Sequence, residues 1–336
     1  MNRVILLVKS FSILSIRRLE TKLKNHSQKV PSTTSQKVDT NQKISQTFVR
    51  LALVLGISSV LAPTANAFPI GQSSYSHPGG WRIIETSNYG ATKGLPYKNV
   101  HIYQLHNEQT YVQLVDFSQG GHIRLEQVSD QPIGNFKGWK RQSMDAWWRL
   151  HGNYTSRVSM VNAQFFDHKS SPNTTFSFGI RANGRVLDEG GDVNANGGFP
   201  LKQMNFYSNR VEVINWHARS LYDTIAPDAI VGKSMRSREK PDASIGRTYL
   251  CAKPMNASGN SSYVLLVYTA QAKTQHWAES DLNSWGCNDS NTVMMDGSES
   301  TKLRTKGGIN IEGKWTGYQL FDISERNIPQ VITIFN

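Results

Sequence analysis

The sequence TVMMDGSESTKL at residues 292–303 changes from apolar to polar after Met295. Residues 293–295 are an apolar run of the kind that forms a buried strand. Asp296, Gly297 and further hydroxyl and carboxylate side chains follow at once, and Asp, Gly and Ser are residues that form turns. The segment therefore predicts either an ordinary turn after a strand, or a site in which the sheet fixes the Asp296 carboxylate and Gly297 opens the backbone.

Strand patterns recur throughout residues 99–336, whereas helical patterns are few. An Asn183-Gly184 pair between two apolar runs predicts a hairpin. Helices are predicted at residues 144–150 and at residues 275–285, the second with Trp277, Leu282 and Trp285 as its inner face. Strands are predicted at residues 100–105, 111–115, 122–125, 157–161, 176–181, 185–187, 204–207, 211–216, 229–231, 248–252, 263–268, 292–295 and 329–335. We therefore predict a single α+β domain, with a mixed, largely antiparallel sheet flanked by a few helices.

The N-terminal region has the features of an export signal. Arg50 precedes a short apolar run, and Ala65-Asn66-Ala67 ends it with small residues. This predicts a leader at residues 1–67 removed after Ala67, an arm at residues 68–98, and a secreted or periplasmic domain at residues 99–336. The alternative is an uncleaved signal anchor. Beyond Ala67 no apolar run reaches the ~20 residues of a spanning helix, so no membrane span is expected in the mature chain.

Most of the positive charge lies in the predicted leader. The chain carries a formal net charge of +12, and residues 1–67 hold ten of its 37 Lys and Arg but only two of its 25 Asp and Glu. The leader thus carries +8 and the remainder +4. Because no basic stripe stands out in the remainder, a nucleic-acid partner is not expected.

The chain has two cysteines, Cys251 and Cys287. An even cysteine count in an exported protein favours a disulfide between them, with two separate buried thiols as the alternative. Neither cysteine has a histidine or cysteine at metal-binding spacing, so a zinc site is not expected. The sequence leaves the oligomeric state open.

Three polar clusters lie at strand ends, at residues 162–167, 245–249 and 295–301. Each alone is typical of a turn or a solvated flank. In this order they resemble the phosphodiester glycosidase family, the bacterial relatives of the animal enzyme that uncovers mannose 6-phosphate by removing a capping N-acetylglucosamine. The resemblance covers residues 100–336. It includes Asn-x-x-Phe-Phe at residues 162–166, an apolar segment at 228–232, Arg-Thr at 247–248, Trp-Gly at 285–286 and Asp-Gly at 296–297.

One departure from the family pattern lies in the most specific motif. The family has Asp-Gly-Gly-Gly, whereas Ser298 and Glu299 replace two of these glycines here. Glycine lets backbone N–H groups approach a phosphate closely, and a glutamate side chain would obstruct and repel an anion. The departure leaves two interpretations open, a changed substrate or the loss of the inherited activity.

The resemblance implies hydrolysis of a sugar–phosphodiester bond in a phosphorylated glycan or glycoconjugate. Asp296 would stabilise or attack the oxocarbenium-like anomeric carbon. Arg247 would hold the phosphate with its two-pronged guanidinium, and Asn162 would position the substrate. Glu299 is either a second acid/base or a solvated side chain. The remaining substrate-binding candidates are Gly297, Ser298, Ser300 and Thr301.

Two further interpretations remain open at this stage. Asp192, Asn194 and Asn196 have the spacing that begins a calcium loop, but Gln203 stands where such a loop needs glutamate, so a turn is favoured and no cofactor is expected. The alternative to an enzyme is a non-catalytic glycan- or envelope-binding protein, or a purely structural envelope protein. A binding protein would expose an aromatic strip, for example from its tryptophans at positions 139, 147 and 148.

Overall fold

The described part of the chain is built mainly from antiparallel strands. The computed structural model describes residues 77–84, 99–133, 136–150, 155–167, 173–190, 200–238, 240–253, 261–314 and 326–336. All of them belong to one compact unit, Tyr75–Asn336. The predicted leader and the possible calcium loop at Asp192, Asn194 and Asn196 lie outside the described residues.

Twenty strands and three α-helices are formed within these ranges. The strands are β1 (Trp81–Ile83), β2 (Val100–Leu105), β3 (Thr110–Asp116), β4 (His122–Gln127), β5 (Ser129–Ile133), β6 (Phe136–Lys140), β7 (Arg157–Asn162), β8 (Asn173–Thr174), β9 (Ile180–Ala182), β10 (Arg185–Asp188), β11 (Leu201–Phe206), β12 (Val211–Asn215), β13 (Asp228–Ser234), β14 (Ile245–Ala252), β15 (Ser261–Ser262), β16 (Val264–Lys273), β17 (Thr292–Met294), β18 (Lys302–Thr305), β19 (Asn310–Glu312) and β20 (Gln330–Phe335). The helices are α1 (Met144–Leu150), α2 (Ser220–Asp223) and α3 (Gln275–Ser284), and short 3₁₀ turns occupy Phe117–Gln119 and Ser298–Ser300.

These strands form three sheets. The largest has twelve strands, with the order β1-β2-β3-β16-β14-β17-β13-β11-β12-β15 and the β9–β10 hairpin attached to β13. The second has the order β19-β18-β7-β20-β4, and the third is β5-β6-β8. Every pairing between named strands in the described ranges is antiparallel. The predicted antiparallel character is thus confirmed, while the described structure is mostly β with a smaller helical share than α+β implies.

Strand β16 shows why the large sheet lies in the middle of the domain. Successive side chains of a strand point to opposite faces. Leu265 and Val267 belong to the core shared with the five-stranded sheet, whereas Leu266 and Tyr268 belong to the core beneath α3. All four are fully buried. Because both faces of the sheet are covered, β16 is apolar at consecutive positions.

Helix α3 covers the outer face of this sheet. It begins after Thr274, whose hydroxyl accepts a hydrogen bond from the Trp277 amide, as an N-cap does. The residues buried against the sheet are Gln275, Ala278 and Leu282, while Trp277 is 60% exposed. The predicted inner face was therefore wrong at Trp277. Positions 277 and 282 are five residues apart, roughly 140° around a helix, so they cannot share one face.

A disulfide joins strand β14 to the loop after α3. Cys251 and Cys287 are both buried, and their Cα atoms are 6.1 Å apart. This confirms the predicted pairing and excludes two separate thiols. It closes a loop that contains α3 and thereby holds the helix against the interior strands of the large sheet, where β14 pairs with β17.

Two further predictions concern the N-terminal arm and membrane spans. Residues 68–98 were predicted to be an arm, and part of that range, Trp81–Ile83, forms strand β1 at one edge of the large sheet, paired with β2. Among the described residues, no helix has the length and apolar character to cross a bilayer.

Candidate active site

Residues from the ends of strands β7, β14 and β17 surround one cavity of about 340 Å³. Asp296 and Gly297 follow β17, Arg247 and Thr248 lie near the start of β14, and Phe165 and Phe166 follow β7. Ile245, Met294, Met295, Ser298, Lys240 and Arg326 complete its wall. The structure therefore brings Asp296, Arg247, Gly297 and Ser298, which were predicted separately, to one cavity.

Main-chain hydrogen bonds fix Asp296 between two strands of different sheets. Its amide donates to the carbonyl of Ala163 at 3.1 Å, and the amide of Met295 donates to the carbonyl of Thr248 at 3.0 Å. The residue thus continues the large sheet on one side and touches the end of β7 on the other. This junction orients the Asp296 carboxylate before any substrate binds.

Burial raises the pKa of Asp296 to about 6, from an ordinary value near 4. The Ser300 hydroxyl, the positive charge of Arg326, the Gly297 amide and Lys233 act in the opposite direction and limit the rise. The Gly297 amide donates to Asp296 Oδ1 at 2.9 Å. The carboxylate is therefore mostly ionised at neutral pH but is ready to take a proton in mildly acidic solution.

Asn162 is buried and makes three hydrogen bonds that join four segments. Its Nδ2 donates to the main-chain carbonyl of Asp296 at 2.7 Å. Its Oδ1 accepts from Thr248 Oγ1 at 2.8 Å and from the Lys302 amide at 2.9 Å. Asn162 was predicted to position the substrate. In the structure its side chain contacts Asp296, Thr248 and Lys302, and it holds the segment that carries the Asp296 carboxylate.

Arg247 lines the cavity, yet much of its guanidinium is engaged with the protein. Its Nε donates to the carbonyl of Lys273 at 3.2 Å, and its Nη2 donates to the carbonyls of Lys240 and Ala243 at 2.7 and 3.3 Å. The side chain is buried. Arg247 therefore fastens the loop that precedes β14, in addition to placing a positive charge at the cavity wall.

The turn at Ser298–Ser300 is enclosed by glycines. Ser298 has a left-handed backbone with φ +55°, a conformation that costs a residue with a side chain about 1–2 kcal/mol. A Cβ atom added at Gly246 or Gly313 would lie 2.2 or 1.9 Å from the Ser298 carbonyl oxygen. Position 298 thus has a backbone conformation that favours glycine, although serine occupies it.

Ser300 and Thr301 form the buried end of this turn. Both are fully buried. Thr248 Oγ1 and Thr301 Oγ1 are 3.4 Å apart, and the Gly313 amide donates to the Thr301 carbonyl at 2.7 Å. Unlike Ser298, these two residues are not part of the cavity wall that the structure describes.

Arg326 is a functional candidate that the sequence did not reveal. Its Nη2 forms an ion pair of 3.0 Å with Glu299, and its Nη1 donates to Ser300 Oγ at 3.3 Å. Glu299 therefore neither projects alone into solvent nor stands unpaired. Arg326 is a single arginine shortly before the last strand, with no recognisable motif around it. The sequence therefore could not distinguish it from an ordinary solvent-exposed arginine beside a strand.

The aromatic strip expected of a glycan-binding protein is not formed by the three tryptophans that were named for it. Trp139 and Trp147 are buried, with 2% and 0% exposure. Trp148 is covered by Arg157, whose guanidinium carbon lies 3.8 Å from the ring centre. Among the described residues, no group of three or more His, Cys, Asp or Glu could hold a metal ion.

Comparisons with known proteins give likeness of shape alone. No family model and no curated protein matches the sequence. The structure is similar to the zebrafish N-acetylglucosamine-1-phosphodiester alpha-N-acetylglucosaminidase catalytic domain auto-inhibited by pro-peptide, with 12% identity over 78% of this chain and 85% of that chain and a TM-score of 0.49. It is also similar to a hypothetical protein from Synechocystis, with 8% identity over 73% of this chain and 65% of that chain and a TM-score of 0.40. Both scores lie below 0.5 and assign no function to this chain.

Proposed function

We propose that the protein is an exported hydrolase that cleaves a glycosyl phosphate bond in a phosphodiester-linked sugar. The observation that carries the proposal is the composition of the cavity wall. Asp296 is its single carboxylate among the described lining residues, and it shares the wall with Lys240, Arg247 and Arg326. One acid and three cationic side chains suit a reaction that releases an anion.

The number of carboxylates distinguishes this reaction from ordinary glycoside hydrolysis. Glycosidases in general use two carboxyl groups, one of which protonates the departing oxygen. A phosphate leaves as a stable anion and needs charge neutralisation more than a proton. A cavity with one carboxylate and several cations can therefore serve a glycosyl phosphate, whereas it lacks an evident acid for an alkyl glycoside.

Asp296 would act in its ionised form on the anomeric carbon. A carboxylate held at that carbon stabilises or attacks the oxocarbenium-like transition state. The backbone hydrogen bonds to Ala163 and from Asn162 fix its main chain, so the orientation is set in advance. The partly exposed ring of Phe165, at the same wall, offers an apolar surface to a sugar face.

Export is part of the proposal and rests on two features. The predicted leader ends in Ala65-Asn66-Ala67, and the body contains a disulfide between Cys251 and Cys287. Disulfides persist in oxidising compartments outside the cytoplasm. A phosphorylated glycan or glycoconjugate of the cell envelope or its surroundings is the corresponding substrate class.

The decisive experiment is hydrolysis of UDP-N-acetylglucosamine and of other glycosyl phosphates by the mature chain. Asp296→Asn keeps the shape of the side chain and removes its charge, and it should lower kcat by at least about a hundredfold. Asp223→Asn, an exposed change on α2, is the matched control and should leave kcat unchanged. A p-nitrophenyl glycoside tests whether the phosphate is required.

The pH dependence of kcat/KM assigns the state of Asp296. If the ionised carboxylate acts, the rate is low below pH 6, rises through about pH 6 and stays high above it. Hydrolysis that falls as the pH rises through this range would instead assign Asp296 as a proton donor. Equal hydrolysis by the native protein and the Asp296→Asn variant would overturn the proposal.

A further inference from the structure

Arg326 lies one hydroxyl group away from Asp296. The Ser300 side chain forms a hydrogen bond with the Asp296 carboxylate and accepts one from Arg326 Nη1 at 3.3 Å. The positive charge of Arg326 lowers the pKa of Asp296, which shows that the two charges interact. Arg326 is also part of the cavity wall, next to Asp296, where a leaving phosphate would be released.

Glu299 binds the other terminal nitrogen, Nη2, of the same guanidinium. Its Oε2 is 3.0 Å from Arg326 Nη2, and the two side chains are 22% and 24% exposed. A guanidinium presents parallel donors that match either a carboxylate or a phosphate. A phosphate that binds both Nη1 and Nη2 of Arg326 must therefore compete with Glu299.

Arg247 is less suited to the same task. Three of its donor contacts go to the main-chain carbonyls of Lys273, Lys240 and Ala243. Moving these donors to a ligand would break three part-buried hydrogen bonds that hold the loop before β14, which costs free energy. Arg326, by contrast, binds two side chains that can rotate.

We infer that Arg326 holds the phosphate of the substrate and that Glu299 competes for its guanidinium, so that Glu299 weakens the binding of doubly charged phosphate monoesters more than the binding of singly charged phosphodiesters. The inference rests on the proposed function for its substrate class. A diester carries one negative charge, whereas a monoester carries about −1.5 to −2 at neutral pH. Repulsion by the Glu299 carboxylate is therefore nearly twice as large for the monoester, and the monoester is the product released by glycosyl phosphate cleavage.

Glu299 thus has a function that glycine in its place could not perform. Where the family pattern has glycine, a phosphate would meet no competing carboxylate. Here, the carboxylate weakens binding of the doubly charged product and promotes its release. Glutamate at position 299 thus lowers the affinity of the site for doubly charged phosphate more than its affinity for singly charged phosphate, without abolishing anion binding.

The test is calorimetric titration of the mature chain with inorganic phosphate and with dimethyl phosphate at about pH 8, where the former is doubly and the latter singly charged. Glu299→Gln should tighten phosphate binding about tenfold and dimethyl phosphate binding about threefold, since the removed repulsion scales with ligand charge. Arg326→Gln should weaken both by at least about tenfold. Asp223→Asn removes one negative charge elsewhere and should change neither.

Each outcome decides the inference. It is overturned if Glu299→Gln binds phosphate within twofold of the native protein, if the gain is equal for both ligands, or if neither protein binds either ligand. It is also overturned if folded Arg326→Gln binds as the native protein does; should that variant fail to fold, the Glu299→Gln titrations alone decide. Because these are binding measurements, they can succeed when hydrolysis is absent, in which case the proposed function fails and the anion site stands.

Discussion

The side-chain amide of Asn162 donates a hydrogen bond of 2.7 Å to the main-chain carbonyl of Asp296. These residues are 134 positions apart: Asn162 ends β7 in the five-stranded sheet, and Asp296 follows β17 of the large sheet. The contact fixes the backbone of the proposed catalytic residue without using its carboxylate. We therefore expect Asn162 to act as a positioning residue, and its contribution is measurable as stability.

Asn162→Ala should lower the free energy of unfolding by about 3 kcal/mol, because it leaves buried groups of Asp296, Thr248 and Lys302 without their partner. Urea denaturation measures the change. Asn215→Ala is the control, since that exposed side chain accepts one hydrogen bond from Lys202 and should cost much less. Equal losses in the two variants would contradict the positioning role.

Ser298→Gly should raise the free energy of unfolding by about 0.5–1 kcal/mol. The residue has φ +55°, and glycine adopts this conformation without the steric cost, although it gains entropy in the unfolded chain. Asn183→Gly is the matched control at φ +51°, and it should gain less because asparagine tolerates this conformation better than serine. A loss of stability in Ser298→Gly, measured by urea denaturation, would show that the hydroxyl makes a contact worth more than the strain.

Gly313→Ala should disrupt the turn beside Asp296. The added Cβ would lie 1.9 Å from the Ser298 carbonyl oxygen, and a backbone atom cannot move aside as a flexible side chain can. We expect a loss of about 2 kcal/mol or more and a lower melting temperature. Gly79→Ala is the control, since its Cβ would meet nothing within 4 Å. A Gly313→Ala protein that melts with the control would show that the turn shifts freely.

The strands were predictable wherever one local rule decided the structure. Asn183 and Gly184, with φ +51° and +76°, join β9 to β10 as the Asn-Gly pair predicted. Strand β16 was recognisable because the burial of both its faces selects apolar residues at consecutive positions. Short strands such as β8 and β15 were missed, since two polar residues carry no periodicity of their own.

The site was predictable only where polar residues follow a strand directly. Asp296 met that condition, and the sheet does place it at a cavity. Arg247 donates hydrogen bonds to three main-chain carbonyls. These bonds depend on the conformation of the loop before β14, which the residue types alone do not predict. The ion pair between Arg326 and Glu299 joins the segments before and after the β18–β19 hairpin, so no local sequence pattern predicts it.

Reduction of the Cys251–Cys287 disulfide should lower the free energy of unfolding by about 3–4 kcal/mol, the chain-entropy value for a closed loop of this length. The loop contains α3, so the helix should lose protection from hydrogen exchange before β16 does. Urea denaturation with and without reductant measures the first effect. Identical midpoints in the two conditions would show that packing alone holds α3 against the sheet.

Asp296→Asn should stabilise the protein at pH 7.5 while it removes activity. The folded-state pKa of Asp296, about 6, lies above its unfolded value, so the folded protein binds the proton more tightly between these values. Stability therefore falls as the pH rises from about 4 to about 6, and the burial of the charged carboxylate costs about 1–2 kcal/mol at pH 7.5 after allowance for solvent screening. Asparagine carries no charge at either pH, so the variant should gain this amount at pH 7.5 and little at pH 4.

Urea denaturation of both proteins at the two pH values measures the difference. An equal gain at both would attribute the effect to hydrogen bonding of the amide, and a loss at pH 7.5 would show that Arg326, Lys233 and Ser300 more than compensate the burial of the charge.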